Sequence, residues 1–172
     1  MYFHGGNILN STNLNTDLGG NILRAPMQVL VIPYKLFSGI PEFCIFKRSD
    51  DNYWQFIAGG GEDNETSLDA AKREAFEEAN LEQTLSYYQL TSRFYVPADC
   101  ISEKHRKYWS ADTFVLPEYC FAVNIGNKPI KLSSEHTEYY WTTYEKAKEM
   151  LYWETNKTAL FELYNRIKLN IF

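Results

Sequence analysis

The sequence predicts one α/β domain, and two observations support this prediction. Short runs rich in β-branched and aromatic residues alternate with three helical segments. In the middle of the chain, a glycine-rich stretch leads from a short strand into an unbroken helix. With 172 residues, 45% of them hydrophobic, the chain can form one sizeable core. We expect a domain over residues 25–172, preceded by an Asn- and Gly-rich extension over residues 1–24.

The composition excludes several classes of partner. A net charge of −5 and a pI near 5.2 argue against a nucleic-acid polymer, whose binding requires a basic surface. The longest apolar run, residues 27–34, is too short to cross a membrane. Cys44, Cys100 and Cys120 are odd in number and lack a metal-ligand spacing. We therefore expect free thiols and a cytoplasmic location.

Three strands precede the glycines. Residues 27–34 form a β-rich run, in which Pro33 suggests a strand end or a sheet edge. Residues 42–48 form the next strand, which pairs with the first through a turn at Ser38 and Gly39. The short run 54–57 then leads into the glycines.

Residues 67–79 predict a helix without an internal Gly or Pro. Thr66 is placed to cap its N-terminus, and Asp69 lies at the acidic position of a capping box. Four apolar residues recur at helical spacing and predict a face that packs closely on a sheet: Leu68, Ala71, Ala75 and Ala79.

Another face of this helix carries Glu74, Glu77 and Glu78 at positions i, i+3 and i+4. Like charges this close repel one another unless a cation neutralises them. Carboxylate oxygens at this density suit Mg²⁺ or Mn²⁺. The alternative is an acidic face exposed to solvent, and spacing alone does not decide between the two.

The residues before the helix suggest how it is fixed to the strand. Gly59, Gly60 and Gly61 permit a sharp turn and allow backbone carbonyls and amides to approach a metal ion or a phosphate. Arg73 directly precedes Glu74 and can pair with Glu65 across the loop, which gives both Arg73 and Glu65 a structural role.

Downstream of this helix, residues 87–96 are strand-like and residues 119–125 predict a core strand with Glu118 at its mouth. The polar loop 97–111 between them carries five residues able to hold a phosphate and a base, or simply to face solvent: Lys104, His105, Arg106, Lys107 and Trp109. A helix over residues 143–151 follows. The last helix has one apolar face, formed by Leu160, Leu163, Tyr164 and Ile167.

The stretch from Gly59 to Leu81 reads G-x5-E-x7-REAFEE-x-NL and resembles the signature of the Nudix hydrolases. Asn80 replaces the usual Gly, and Asn tolerates the left-handed backbone conformation expected there. At the position of Ala75, a larger aliphatic residue is more common in the family. The resemblance implies an α/β/α sandwich with a central mixed sheet and Mg²⁺-dependent (or Mn²⁺-dependent) hydrolysis. It also implies that Glu74, Glu77 and Glu78 bind the metal, near Gly59.

Two further segments, residues 46–55 and 133–141, look like the branch of dihydroneopterin triphosphate and dATP pyrophosphohydrolases. By that resemblance, Arg48, Trp54 and Gln55 approach the substrate. The same resemblance makes Glu118 a further metal ligand and places Glu135 or His136 near the reacting water, and it also makes His136 a candidate for binding substrate. If the family resemblance is set aside, Trp54 is interpreted as an aromatic residue of the core and His136 as a histidine with a structural role.

The resemblance implies hydrolysis of a nucleoside or pterin triphosphate to a monophosphate and pyrophosphate. Glu77 is the first candidate for the general base and Glu135 the second. Two alternatives stay open: a hydrolase of diadenosine polyphosphates or ADP-ribose, for which Pro97 is a weak signal, and a non-catalytic nucleotide sensor. A homodimer also fits, because family members commonly form dimers.

Overall fold

The computed structural model describes residues 23–172, so the expected extension lies outside the described residues except for its last two positions. The strands are β1 (Arg24–Phe37), β2 (Ile40–Arg48), β3 (Trp54–Gln55), β4 (Ile57–Glu62), β5 (Tyr87–Pro97), β6 (Val115–Asn124) and β7 (His136–Thr142). The helices are α1 (Ser67–Ala79), α2 (Glu103–Arg106), α3 (Tyr144–Met150) and α4 (Glu154–Leu169). None of these helices is long and apolar enough to cross a lipid bilayer.

The seven strands form one mixed sheet with β1 near its middle. Strand β1 runs parallel to β6 on one side and antiparallel to both β4 and β2 on the other. β5 pairs with β6, while β3 and β7 pair with β2. The expected mixed sheet and the β1–β2 hairpin are therefore confirmed.

Pro33 lies inside β1, so the expectation of a strand end or edge was wrong. On one side of β1, pairing with β4 stops at Val31, and pairing with β2 starts at Tyr34. Pro33 lies in the gap between these two partners, while its other side faces β6. A residue that lacks an N–H group is tolerated at such a break in the ladder.

Helices cover both faces of the sheet and give the expected α/β/α sandwich. Helix α1 packs on the face formed by residues such as Val29, Val31 and Phe121. Helices α3 and α4 pack on the opposite face, where Leu160 and Leu163 are fully buried. Tyr164 and Ile167 pack against the same cluster, so the predicted apolar face of the last helix is confirmed.

Helix α1 has the predicted capping box and close packing. The Thr66 hydroxyl accepts from the backbone N–H of Asp69, and the Asp69 carboxylate accepts from that of Thr66. Asn80 ends the helix in the left-handed conformation, at φ 55°. One expectation was wrong: Leu68 is 37% exposed, because the first turn lies beyond the part of the helix that packs on the sheet, and burial begins at Ala70.

Strand β6 begins at Val115 instead of residue 119, which changes the place of Glu118. Glu118 lies within the strand, opposite Gln28 of β1 and Phe94 of β5, and not at its mouth. Its partners come from strands far apart in the sequence. Pairing of this kind leaves no local signal in the sequence.

Glu162 joins α4 to an irregular part of β5. The β5–β6 register shifts between Gln89 and Arg93. Within that stretch, the Glu162 carboxylate accepts from the N–H groups of Thr91 and Ser92 at 2.7 and 2.6 Å and from the Ser92 hydroxyl. Burial alone raises the pKa of Glu162, but the hydrogen bonds from Ser92, Thr91 and Arg166 outweigh burial and lower it to about 2.

We expect Glu162→Gln to lower the free energy of unfolding at pH 7 by about 1–3 kcal/mol, since charge-assisted hydrogen bonds to β5 are lost. The folded pKa lies below the ordinary value of 4.5, so this stabilisation is present above pH 4.5 and is lost as the pH falls toward 2. Urea unfolding at pH 7 and at pH 3 measures both effects. Glu154→Gln, on the exposed start of α4, is the control, and a wild-type advantage of equal size at both pH values contradicts the analysis.

Candidate active site

Two glycines of β4 allow side chains to lie directly on the strand. A Cβ atom on Gly59 would lie only 2.0 Å from the carboxyl carbon of Glu74. A Cβ atom on Gly60, whose missing side chain points to the opposite face, would lie 2.2 Å from the guanidinium carbon of Arg24. The carboxylate of α1 and a cation of β1 therefore approach the same short stretch of backbone from two sides.

The Arg73 guanidinium connects the strand, the turn and the helix. Its Nε and Nη2 atoms donate to the two oxygens of Glu65 at 2.8 and 3.0 Å, and Nη2 also donates to the Gly60 carbonyl at 2.6 Å. Its Nη1 atom donates to Glu74 at 2.9 Å and to Glu77 at 3.0 Å. The expected pairing of Arg73 with Glu65 is present, and it extends to two of the three clustered carboxylates.

Glu78 turns away from this group and pairs with His136. Its Oε2 atom lies 2.5 Å from the His136 Nε2 atom, and the two side chains are 2% and 0% exposed. Burial raises the pKa of Glu78, and the hydrogen bond from His136 opposes that change. His136 therefore connects β7 to α1 and is not among the residues that line the cavity described below, and its contact with a substrate stays a prediction.

The carboxylates of α1 suit a divalent cation, although the structure does not bring them to a single point. Within residues 23–172, no three His, Cys, Asp or Glu side chains converge as metal ligands do. The reason is that Arg73 holds Glu74 and Glu77 while His136 holds Glu78. The donor set still fits Mg²⁺, because it consists of oxygens and because burial raises the pKa of Glu74 to about 7, a cost that a bound cation would offset.

A cavity of about 460 Å³ borders β4 at Ala58, on the face of the sheet opposite helix α1. Its volume is in the range of small-molecule sites, about 300–1,000 Å³. Its polar lining includes the predicted residues Arg48, Gln55 and Glu118. Residues that the sequence analysis did not single out complete the lining, among them Gln28, Tyr53, Tyr95, Trp153 and Asn156.

Trp54 and Glu135 lie outside the residues that line the cavity. Trp54 packs against the core beneath α3 and α4 and against the Tyr140 ring, as the alternative of a core ring predicted. Glu135 is exposed and pairs with Arg48, whose Nη1 atom lies 2.8 Å from the Glu135 carboxylate. Arg48 also pairs with Asp50 at 2.6 Å. Glu135 is thus connected to the cavity by its ion pair with Arg48, which lines it.

Glu118 lies on the face of the sheet opposite α1, and its expected role as a further metal ligand stays a prediction. Side chains alternate along a strand, and the neighbours Tyr119 and Phe121 face α1. Glu118 shares the opposite face with Cys120 and Ala122. It is 5% exposed, burial raises its pKa to about 7, and its Oε1 atom has no hydrogen-bond partner among the described residues.

The sequence analysis missed Arg24 and Gln28. Arg24 was assigned to the extension, but it starts β1 and donates to the Gln28 side chain at 3.2 Å. Burial lowers the pKa of Arg24, and the nearby charge of Glu74 opposes that change. A register shift separates Arg24 from the regular part of β1, so strand alternation does not point to it. Trp109 of the polar loop fixes this end of the strand by donating to the Arg24 carbonyl at 2.6 Å.

Together these features define an α/β domain with an acidic helix on one face of its sheet and a ligand-sized cavity on the other. The sequence matches the NUDIX domain over residues 36–163. It is 40% identical to a Listeria monocytogenes protein assigned as a NUDIX hydrolase, over 85% of this chain and 97% of that chain, with a TM-score of 0.76. The chain belongs to the Nudix family and is a Nudix pyrophosphohydrolase.

More distant structures share the fold alone. The E. coli dihydroneopterin triphosphate pyrophosphohydrolase is 22% identical, with a TM-score of 0.65, over 83% of this chain and 99% of that chain. A C. elegans Ap4A hydrolase is 18% identical, with a TM-score of 0.64, over 83% of this chain and 97% of that chain. No curated protein matches the sequence significantly.

We expect Gly59→Ala to weaken Mn²⁺ binding at least about tenfold, because the new Cβ atom displaces the Glu74 carboxylate by an ångström or more. The displaced atoms end a flexible side chain, so the fold should persist. Titration with Mn²⁺, followed by electron paramagnetic resonance, measures the affinity, and circular dichroism checks the fold. Glu74→Gln, which removes the charge without adding bulk, should give a similar loss. Unchanged affinity in both variants would remove Glu74 from the metal site.

Proposed function

We propose that this protein hydrolyses a phosphoanhydride bond of a nucleoside or pterin triphosphate, with Mg²⁺, and releases pyrophosphate. One observation carries the proposal: the Glu74 carboxylate of α1 lies against Gly59 of β4, and the other face of this strand borders, at Ala58, a cavity large enough for the rest of such a substrate. Phosphates at the glycines and a heterocycle in the cavity would occupy adjacent places. The proposed substrate class rests on the resemblance of residues 46–55 and 133–141 to the branch of dihydroneopterin triphosphate and dATP pyrophosphohydrolases.

The metal site in this proposal comprises Glu74, Glu77 and Glu78, together with the Gly59 carbonyl. A divalent cation bound there would supply the charge that neutralises the phosphate oxygens. Arg73 keeps Glu74 and Glu77 on the strand side of α1. His136 acts as a positioning residue, because it holds the buried carboxylate of Glu78 in one orientation.

The general base in this proposal is a carboxylate that accepts a proton from water. Glu77 is our first choice, because it is exposed and lies on the same helix face as Glu74 and Glu78. Glu135 is the second choice, and Arg48 holds one of its oxygens. Arg48 and Gln55 line the cavity and are placed to bind the substrate.

We expect Glu77→Ala to lower kcat by about 10²–10⁴-fold, the usual contribution of a general base, without unfolding the protein. Glu135→Gln should cost clearly less. Steady-state kinetics with a triphosphate substrate measures both variants, and thermal unfolding confirms that they remain folded. A larger loss in Glu135→Gln would make that residue the base, and an active Glu77→Ala would remove Glu77 from the site.

The substrate class is tested by product analysis with Mg²⁺ and four substrates: dATP, dihydroneopterin triphosphate, diadenosine tetraphosphate and ADP-ribose. The proposal expects pyrophosphate from a triphosphate. Cleavage confined to diadenosine tetraphosphate and ADP-ribose would replace the proposed activity with that of the alternative hydrolase, and metal binding without turnover would favour a nucleotide sensor.

The cytoplasmic location remains part of the proposal, since Cys44, Cys100 and Cys120 are all free thiols, while a homodimer remains a prediction.

A further inference from the structure

Arg24 is a half-buried cation that the proposed mechanism does not use. Its guanidinium group lies over Gly60 of β4 and donates to the Gln28 side chain at 3.2 Å. Its Nε atom is buried without a hydrogen-bond partner, and the group pairs with no carboxylate within residues 23–172. Burying a charge without a counter-ion is costly, so an unpaired guanidinium beside a ligand cavity indicates an anion that arrives with the ligand.

Two other arginines near the site already have carboxylate partners. Arg73 pairs with carboxylates of α1 and of the turn before it. Arg48 lines the cavity but pairs with Asp50 and Glu135. Arg24 therefore has guanidinium donors for which no carboxylate of the described residues competes.

Arg24 lies between the two parts of the candidate site. Gly60 is opposite Gln28 in the β1–β4 register, and Gln28 lines the cavity. On the other face of the same strand, Gly59 lies against the Glu74 carboxylate. Burial lowers the pKa of Arg24, and the nearby charge of Glu74 opposes that change. A phosphate chain that runs from a cation at Glu74 into the cavity would therefore pass the Arg24 guanidinium group.

The loop after β5 adds positive charge near Arg24. Trp109 donates to the Arg24 carbonyl at 2.6 Å and fixes the loop to the start of β1. Burial and the charges of Lys104 and Arg24 lower the pKa of His105, so the loop brings further cationic groups close to Arg24. In a chain with a net charge of −5, this local excess of positive charge favours an anionic ligand.

Resting on the proposed function, we propose that Arg24 binds phosphate oxygens of the substrate, between the metal site at the acidic helix and the cavity. Its planar guanidinium group can donate two parallel hydrogen bonds to two oxygens of one phosphate. Gln28 orients the group by accepting from its Nη2 atom, and the buried Nε atom remains available as a donor. The phosphate would supply the counter-ion that Arg24 lacks.

The test is calorimetric titration of the full chain with inorganic pyrophosphate and Mg²⁺, a probe that carries no heterocycle. Arg24→Gln should weaken pyrophosphate binding about 10–100-fold, because charge-assisted hydrogen bonds are lost. Arg24→Lys keeps the charge without the planar fork and should have intermediate affinity. Lys146→Gln, which removes one positive charge from the exposed surface of α3, is the matched control and should bind as the wild type does.

Wild-type affinity in Arg24→Gln would overturn the proposal, as would a wild type that does not bind pyrophosphate. If Arg24→Gln does not fold, wild-type affinity in Arg24→Lys overturns it instead. Circular dichroism checks the fold of each variant.

A second measurement separates phosphate binding from a structural role. Mn²⁺ binding without phosphate, followed by electron paramagnetic resonance, should be unchanged or up to about tenfold tighter in Arg24→Gln, because a positive charge near Glu74 is removed. A role confined to holding β1 against β4 predicts that Mn²⁺ and pyrophosphate both bind more weakly. That result would overturn the proposal.

The outcomes separate this proposal from the proposed function. Pyrophosphate affinity that depends on Arg24, without hydrolysis of any triphosphate, would overturn the proposed function and support the role of Arg24. Release of pyrophosphate from a triphosphate with the same kcat/KM in the wild type and in Arg24→Gln would do the reverse.

Discussion

The site depends on one guanidinium group. Arg73 is the cation that brings Glu65, Glu74 and Glu77 close together, and its bond to the Gly60 carbonyl fixes helix α1 to strand β4. A lysine could make neither the bidentate pair with Glu65 nor this set of simultaneous bonds, because its ammonium group lacks the planar fork. Gly59 and the alanines of α1 then serve the same contact, since each removes bulk where helix and strand meet.

The two faces of the sheet carry different parts of the candidate site. The α1 face carries the clustered carboxylates, and the α4 face carries most of the cavity. Two pairs at the β2–β7 end join these parts: Glu78 with His136 and Arg48 with Glu135. Because Arg48 and His136 are opposite each other in the strand register, a shift of β7 would disturb both pairs together.

Local sequence patterns correctly predicted the features that depend on helical geometry alone. The capping box, the left-handed Asn80 and the spacing of Glu74, Glu77 and Glu78 all follow from helical periodicity, so the acidic helix was visible in the sequence. The face on which Glu118 lies, the break in pairing at Pro33 and the inclusion of Arg24 in β1 depend on strand register. Register is set by contacts between distant residues, which a single sequence does not display. For the same reason, the sequence left His136 open between contact with substrate and a structural role.

The parallel pairing of β1 with β6 also governs when the cavity forms during folding. The β1–β2 hairpin closes through a two-residue turn, whereas Gln28 and Glu118 meet only after a loop of about 90 residues has closed. Closing such a loop is entropically costly and slow relative to hairpin formation. The acidic helix and its capping box can form early from local contacts, but the floor of the cavity is completed only when this long-range strand pairing forms. A partly folded chain would thus have the carboxylate helix before it can recognise a ligand.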